Sequence, residues 1–260
     1  MTPAPTAKRP LILAGGQITC SLSDAGRAIG AYAFATTPLK PGQMPAAVGP
    51  GPTAVERARW SAEIYDFQRP TPGPLTYNDL IANIALSSQI KEYAISGMLA
   101  VMGEVNVELK EIPVGTTFWN LPNADHKAAL RRTDLWRMWR AVELFDAVPG
   151  VAFTIAHKTL HHKRPELFPL LDNVTEQVLP YGASWTLIHK DLTTQSEAFA
   201  ALEEWFAVEA KNRKRPSLTR LRMHDIIVWL TQRDRARAAA GKPLTDGWAD
   251  AVAEGARLGF

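Results

Sequence analysis

The sequence predicts a mainly α-helical protein with a small β element near the N-terminus. From Thr76 onward, apolar residues recur three or four positions apart over most of the chain, as they do on one face of an amphipathic helix. The first 40 residues instead hold short apolar runs at 11–13 and 31–34, which favour short strands or irregular structure. We therefore expect helices to build most of the fold.

Breakers and caps divide the helical part into successive elements. Residues 38–53 contain five prolines and three glycines, a composition that predicts a loop or linker. Thr76 or Asn78 can cap the helix that follows, and the segment 103–125 is predicted to be mainly a connection because it contains prolines and a glycine. The other predicted helices cover residues 54–67, 89–102, 126–145, 152–163, 172–179, 184–192, 195–211 and 219–238, with one more short helix beyond residue 241.

The proline-rich linker divides the chain into two predicted parts. Residues 1–53 form an N-terminal region of short strands and irregular structure that ends in the linker, and residues 54–260 form the helical domain. Within that domain, residues 126–164 are predicted to form a helix–hairpin–helix.

Composition and missing motifs exclude several classes of function. The only cysteine is Cys20, so an intramolecular disulfide and a four-cysteine zinc or iron–sulfur site are excluded. Glycine-rich nucleotide loops and Gly-x-Ser-x-Gly do not occur, and we expect no cofactor. Without a run of about 18 apolar residues or a convincing signal peptide, we expect a cytoplasmic protein that does not enter a membrane. The net charge of +3 permits a nucleic-acid partner without requiring one.

The most informative segment is the turn at Pro149 and Gly150, between two predicted helices. Proline fixes φ and glycine tolerates a positive φ, so this pair makes a tight turn. The second helix starts almost immediately and leaves its first N–H groups unpaired. Those groups, together with the helix dipole, suit an anion such as a DNA phosphate. An ordinary helix–helix turn is the alternative interpretation.

This segment resembles the helix–hairpin–helix DNA glycosylase superfamily over residues 126–180. The hairpin at residues 148–152 carries the resemblance, together with Ala156 at a small-residue position and Asp172 after an apolar residue, 23 positions beyond Pro149. The resemblance implies a multi-helix, glycosylase-like fold. It also implies that Asp172 is the catalytic residue, which stabilises the positive charge on the deoxyribose when the glycosidic bond breaks. Capping of a helix is the alternative role of this aspartate.

Two positions depart from the pattern of that superfamily. Ala152 replaces the second glycine of the hairpin, and Thr154 stands where bifunctional members carry a nucleophilic lysine. The resemblance therefore implies a monofunctional enzyme of base excision that uses water and forms no Schiff base. The stretch from His162 to Asp172 also resembles an uncharacterised bacterial family of unknown function, which implies no reaction.

Candidate DNA contacts belong to the hairpin or carry a cation close to it: Gly150, Val151, Ala152, Thr154, Lys158, Lys163 and Arg164. Trp119, in a loop bounded by proline and glycine, and Tyr181, after the predicted Asp172 helix, are candidates for a base pocket. His157 and His161 lie one helical turn apart, but no obvious third ligand follows them, and we expect no metal site.

The sequence thus favours a DNA-glycosylase-like hydrolase that extrudes a base into a cleft and uses Asp172 against the sugar. Two alternatives stay open. One is a non-catalytic helix–hairpin–helix module that binds DNA, which Ala152 and Thr154 motivate. The other is a helical protein that acts on a small molecule or a protein partner, with a merely structural Pro-Gly turn.

Overall fold

The computed structural model of the chain describes residues 4–5, 9–34, 62–68, 73–86, 90–241 and 247–260. These residues are mainly helical, with a two-stranded antiparallel sheet near the N-terminus, which confirms the predicted fold class. None of the helices in these ranges is both long enough and apolar enough to cross a membrane. The predicted loop at 38–53 and the domain boundary at its end lie outside the described residues.

The strands and α-helices follow each other along the chain with short 3-10 turns between some of them. In chain order they are β1 (Leu11–Leu13), β2 (Ile18–Cys20), α1 (Leu22–Phe34), α2 (Tyr77–Ala82), α3 (Glu92–Lys110), α4 (Asp134–Asp146), α5 (Phe153–Lys163), α6 (Ser184–Thr194), α7 (Ser196–Asn212), α8 (Arg220–Ala239) and α9 (Trp248–Arg257). The predicted helices at 152–163, 184–192, 195–211 and 219–238 and the short one beyond 241 are therefore confirmed, within about two residues at most ends. Of the predicted helix at 54–67, the structure describes a five-residue π-helical turn, Ala62–Asp66.

The chain divides into two compact units. Unit 1 contains residues 1–68, 197–218 and 226–260, and unit 2 contains residues 69–196 and 219–225.

Unit 1 combines the small sheet with α1, α9 and most of α7. In the sheet, Leu11 lies opposite Cys20 in an antiparallel pair. Helix α9 approaches α1 so closely that a Cβ on Gly255 would lie 2.2 Å from the carbonyl oxygen of Arg27. The ring of Phe260 packs near Phe34, with the two ring centres 5.9 Å apart.

The predicted short strand at residues 31–34 is wrong, because these residues form the last turn of α1. Tyrosine and phenylalanine favour strands, but here all four side chains are buried on a helix whose alanines and glycines admit close neighbours. Phe34 stacks on Phe206 of α7, with ring centres 5.0 Å apart. Tertiary packing therefore outweighs local propensity at this position.

Unit 2 is built around α5. Helix α3 packs against α4, α4 packs against α5, and α2 packs against the other side of α5. The unit buries large aromatic side chains, including Phe118, Phe145, Phe168 and Trp185. Every residue of α5 from Ile155 to Lys163 is buried.

Helix α2 begins where the sequence predicts. Thr76 is its N-cap, and its backbone N–H donates to Oδ2 of Asp79 at 2.8 Å. Helix α3 is longer than the predicted helix at 89–102, so the predicted connection begins after residue 110. The helix continues past the exposed Gly103 because Val105 and Leu109 extend its buried face, and this burial outweighs the low helix propensity of one glycine.

The predicted single helix at 126–145 is two elements. Residues His126–Ala128 form a 3-10 turn, and α4 begins only at Asp134. The N-cap of α4 is Thr133, whose Oγ1 accepts a hydrogen bond from the N–H of Trp136 at 3.3 Å. Threonine followed by aspartate is a strong start signal for a helix, and it interrupts the apolar periodicity here.

The predicted helix at 172–179 does not form, and a series of turns takes its place. The polar side chains of this segment bond to the nearby backbone. Oδ1 of Asp172 accepts from the N–H of Val174 at 2.8 Å, and Oγ1 of Thr175 donates to the carbonyl of Asp172 at 2.9 Å. Such local bonds compete with the helical hydrogen-bond pattern, and Pro180 prevents its continuation.

Candidate functional site

The turn between α4 and α5 requires glycine at position 150. Gly150 has a φ of 81°, which side chains disfavour. A Cβ at this position would lie 2.5 Å from Cε2 of Tyr93, on α3. The N–H of Val151 donates to the carbonyl of Val148 at 3.0 Å and closes the turn. Helix α5 therefore starts at Phe153, four positions after Pro149, as expected for a tight hairpin.

The first turn of α5 has no capping side chain. Its N-cap is Ala152, which is exposed and cannot accept a hydrogen bond through its methyl group. The carbonyl of Ala152 accepts from the N–H groups of Ile155 and Ala156, so the helix itself is well formed. The N–H groups at the start of such a helix carry a partial positive charge that suits an anion.

Asp172 is held by one hydrogen bond and one ion pair within unit 2. While Oδ1 accepts from Val174, Oδ2 lies 3.1 Å from Nζ of Lys158, on α5. The Lys158 side chain is 7% exposed and that of Asp172 is 22% exposed. Nζ of Lys158 also donates to the carbonyl of Leu86 at 3.2 Å. The lysine thereby ties the aspartate to α5 and to the 3-10 turn Asn83–Leu86.

A cleft of about 140 Å³ brings several of the predicted site residues together. Its wall is formed by the start of α5, the turns after Leu171, and Tyr181. The lining residues are Ala152, Phe153, Thr154, Leu171, Asp172, Asn173, Thr175, Glu176, Leu179 and Tyr181. The catalytic candidate, two hairpin candidates and one base-pocket candidate thus share one cavity.

Aromatic rings form one wall of this cleft. The ring centres of Phe153 and Tyr181 are 3.9 Å apart and the rings are tilted by 54°. Tyr181 is 42% exposed. Burial raises the pKa of its hydroxyl, and the nearby carboxylates of Asp146 and Glu143 raise it further.

Several candidates do not line the cleft. Lys163 is buried, with Nζ 3.5 Å from Oδ2 of Asp79. The guanidinium of Arg164 donates to the carbonyls of Leu109, Ile112 and Pro113. Both cationic groups therefore have ion-pair or hydrogen-bond partners within unit 2.

Four further candidates do not line the cleft: Gly150 and Lys158, described above, and Val151 and Trp119. Val151 is buried beneath the turn. The guanidinium carbon of Arg220 lies over the ring of Trp119, 5.0 Å from the centre of that ring. The roles assigned to all these side chains stay predictions.

Two of the three histidines on α5, His157 and His161, are buried and hydrogen-bonded to backbone carbonyls. Nδ1 of His157 donates to the carbonyl of Phe153 at 3.0 Å, and its Nε2 accepts from Nε1 of Trp185 at 3.0 Å. Nδ1 of His161 donates to the carbonyl of Phe168 at 2.6 Å. Burial lowers the pKa of each histidine to about 3. Within the described ranges, no group of three or more histidine, cysteine, aspartate or glutamate side chains is arranged to hold a metal ion.

Three features at the cleft differ from the sequence prediction or go beyond it. The sequence predicts a phosphate contact for Lys158, whereas the structure pairs this residue with Asp172. Phe153 and Glu176 line the cleft and are not among the predicted site residues. Phe153 could have been found because it follows the hairpin directly. Glu176 could not, because its position depends on the turns that replace the predicted helix.

Comparison with known proteins gives one match. A family model with the description "Family of unknown function (DUF6308)" matches residues 53–232, which is more than half of the chain. No curated protein matches the chain, and no solved structure matches it.

Proposed function

The chain belongs to the DUF6308 family, whose function is unknown, and we propose from the site itself that it is a DNA-glycosylase-like hydrolase. It would hydrolyse the N-glycosidic bond of a base extruded from DNA, with Asp172 assisting and water as the nucleophile. One observation carries the proposal: Asp172 lines the same cleft as the residues that open α5 after the Pro-Gly turn. A sugar in this cleft would be within reach of a carboxylate and of an uncapped helix start.

The start of α5 provides the contact for a phosphate. Ala152 lies at the surface and leaves the first turn of the helix without a side-chain cap. Backbone N–H groups at such a position bind an anion without any basic side chain. This contact does not depend on Lys163 or Arg164, whose cationic groups have partners inside unit 2.

Asp172 supplies negative charge next to the reacting sugar. The hydrogen bond from Val174 and the ion pair with Lys158 fix the orientation of the carboxylate. A fixed charge stabilises a developing cation better than mobile water does, because it needs no reorganisation during the reaction. Extrusion of the base is the general solution for chemistry on a stacked nucleotide, and Tyr181 offers an exposed ring on which the extruded base can stack.

The test is base release from duplexes that carry uracil, alkylated bases or oxidised bases. The full chain is incubated with each duplex, and alkali then cleaves the strand wherever a base has been lost. We expect cleavage of at least one duplex after alkali, no cleavage before it, and a loss of about 100-fold or more in Asp172→Asn. A panel without any cleavage, or equal rates for wild type and Asp172→Asn, would overturn the proposal.

Asp191→Asn is the matched control. Asp191 is a buried carboxylate of unit 2 whose Oδ2 accepts from Nε2 of His224 at 3.0 Å, and it does not line the cleft. Its replacement removes one paired carboxylate charge from unit 2, as Asp172→Asn does, but base release per folded molecule should persist. Thermal unfolding of both variants separates a loss of folding from a loss of chemistry.

A second candidate function is DNA binding without catalysis. Both oxygens of Asp172 already have a partner in the protein, Oδ1 in a hydrogen bond and Oδ2 in an ion pair, and Ala152 stands where the hairpin pattern has glycine. Salt-dependent binding of duplex DNA without base release would select this function. If the chain has no affinity for DNA even at low salt, a small molecule or a protein partner is favoured instead.

A further inference from the structure

Helix α3 has a buried face and an exposed face. The buried face holds Ala94, Met98, Val105 and Leu109. On the opposite side, residues three, four or seven positions apart project in nearly the same direction, because each residue turns the helix by about 100°. The exposed residues within about 40° of Gly103 on this side are Glu92, Ser96, Leu99, Gly103, Val107 and Lys110. We call these six residues the α3 face.

The middle of the α3 face is apolar and has a notch. Leu99 is 39% exposed and Val107 is 63% exposed. Between them lies Gly103, where an added Cβ would have no heavy atom within 4 Å. The glycine thus leaves an open notch between two apolar side chains, into which a side chain of a neighbouring helix can insert. Contiguous apolar surface rimmed by charges is typical of association sites.

Opposite charges lie at the two ends of the α3 face. Glu92 belongs to the first turn of α3 and Lys110 to its last turn. Both are exposed, and within the described part of the chain neither takes part in an ion pair. The two residues are about 27 Å apart along the helix axis, so they cannot pair with each other. A partner with the reverse order of charges would complement both ends.

We propose that the α3 face pairs with the α3 face of a second copy of this chain, with the two helices antiparallel. A twofold axis near Val101, midway along the face, brings Glu92 of each copy next to Lys110 of the other. The same axis places Leu99 of each copy over Gly103 of the other, so the leucine fills the notch. Both copies use the same surface, and the dimer is closed.

The charges select the antiparallel arrangement. A parallel pair of α3 helices would put Glu92 against Glu92 and Lys110 against Lys110, and like charges facing each other oppose association. The face of one helix is smaller than the roughly 800 Å² that each partner contributes to a standard interface. We therefore expect a reversible dimer with a Kd on the order of 10–100 µM. This inference goes beyond the proposed function and does not depend on it.

The dimer also fixes the positions of the two hairpins. Tyr93, beside Glu92 on α3, lies against the Pro-Gly turn, since a Cβ on Gly150 would be 2.5 Å from its Cε2. With the twofold axis near Val101, the two turns lie towards opposite ends of the helix pair. Their tyrosines are separated by roughly 24 Å along the helix axis.

The test measures the mass of the full chain by sedimentation velocity, at protein concentrations from about 5 to about 500 µM. We expect the wild type to pass from monomer to dimer over this range. The dimer should weaken about threefold or more at high salt, because its ion pairs are exposed. A chain that stays monomeric at the highest concentration would overturn the inference, and so would assembly into larger oligomers, because the paired face is closed.

Charge reversal identifies the surface. Glu92→Lys and Lys110→Glu each turn the two ion pairs of the dimer into two repulsive contacts, and each should weaken the dimer about tenfold or more. Combined in one chain, the two changes restore opposite charges across the axis and should return the Kd to within about threefold of the wild type. A wild-type Kd in the single variants, or a combined variant weaker than either of them, would refute the inference.

Glu197→Lys and Lys211→Glu are the matched controls. Glu197 is an exposed acid in the first turn of α7, and Lys211 is an exposed base in its last turn. Their reversal therefore disturbs a helix dipole in the same way as the reversals on α3. Both controls should dimerise like the wild type, and an equal loss in the controls would contradict the assignment to α3.

Gly103→Gln tests the notch independently of charge. A side chain at this position meets no heavy atom of its own copy within 4 Å of its Cβ, so the monomer should stay folded, as thermal unfolding will show. In the dimer the glutamine takes the place of Leu99 of the other copy and should weaken binding about tenfold or more. An unchanged Kd would exclude this packing and overturn the inference.

Discussion

Acid should destabilise unit 2 through His157 and His161, two of the three buried histidines of α5. In the folded protein, burial lowers the pKa of His157 and of His161 to about 3. In the unfolded chain, an imidazole has a pKa of about 6.5. Between these values the unfolded state binds one proton at each histidine and the folded state binds none. The stabilisation is therefore complete above pH of about 6.5 and is lost as the pH falls towards about 3.

The size of this destabilisation follows from the difference in the number of protons bound by the unfolded and the folded states. Each histidine contributes about 1.4 kcal/mol per pH unit to the pH dependence of unfolding. At pH of about 5, roughly 1.5 units below the unfolded value, each histidine lowers the free energy of unfolding by about 2 kcal/mol, and the two together by about 4 kcal/mol. A loss of this size is a large part of the roughly 5–15 kcal/mol that stabilises a typical domain.

The assay is urea unfolding followed by tryptophan fluorescence, between pH of about 8 and about 4.5. The double variant His157→Gln with His161→Gln keeps an amide donor for each backbone carbonyl but cannot take up the protons. We expect it to be less stable at neutral pH and to have a pH slope that is shallower by about 2.7 kcal/mol per unit near pH 5. His189→Gln is the control, since His189 is only half-buried. Equal slopes in the wild type and the double variant would refute the reasoning.

Three further predictions concern the free energy of unfolding, measured in urea. Gly150→Ala should lose about 1–3 kcal/mol, because Gly150 has a positive φ and a Cβ there would meet the ring of Tyr93. Gly103→Ala, in open space on α3, should gain up to about 1 kcal/mol, and a change of the same sign in both variants would contradict this account. Lys158→Met should lose about 1–3 kcal/mol because it leaves the half-buried Asp172 carboxylate without its cation, and its effect should be much smaller in the background of Asp172→Asn; strictly additive losses would contradict the ion pair. Phe260→Ala should lose about 3 kcal/mol because its ring is 5% exposed and packed against aromatic neighbours; a wild-type unfolding curve would contradict this.

The sequence predicted those elements whose apolar spacing and caps agree with each other. Helices α6 and α7 were predicted from their apolar stripes, and the hairpin before α5 from a proline and a glycine. The start of α2 was predicted from Thr76 or Asn78 as a possible cap, and the structure selects Thr76, whose capping box with Asp79 is completed within one turn. These signals are local, so a single sequence contains them.

The remaining features depend on contacts between distant segments. Nothing in the spacing of α5 shows that Lys158 and Lys163 are buried, because lysine is normally exposed and their partners are remote in sequence. Asp79, the partner of Lys163, lies 84 positions away from it. The same holds for Asp172: the sequence identified the residue, but only the turns that replace a predicted helix orient its carboxylate towards the cleft.

Helix α5 can occupy only one register against its neighbours. Its polar side chains are matched one by one to other segments: Lys158 to Asp172, Thr159 to Asn83, and Lys163 to Asp79. A shift by one residue turns a helix by about 100° and would leave two ammonium groups without carboxylates where water is scarce. Hydrogen exchange at the amides of α5 should therefore require the opening of all of unit 2. We therefore expect any movement that opens the cleft to occur in the turns after Leu171 rather than in α5.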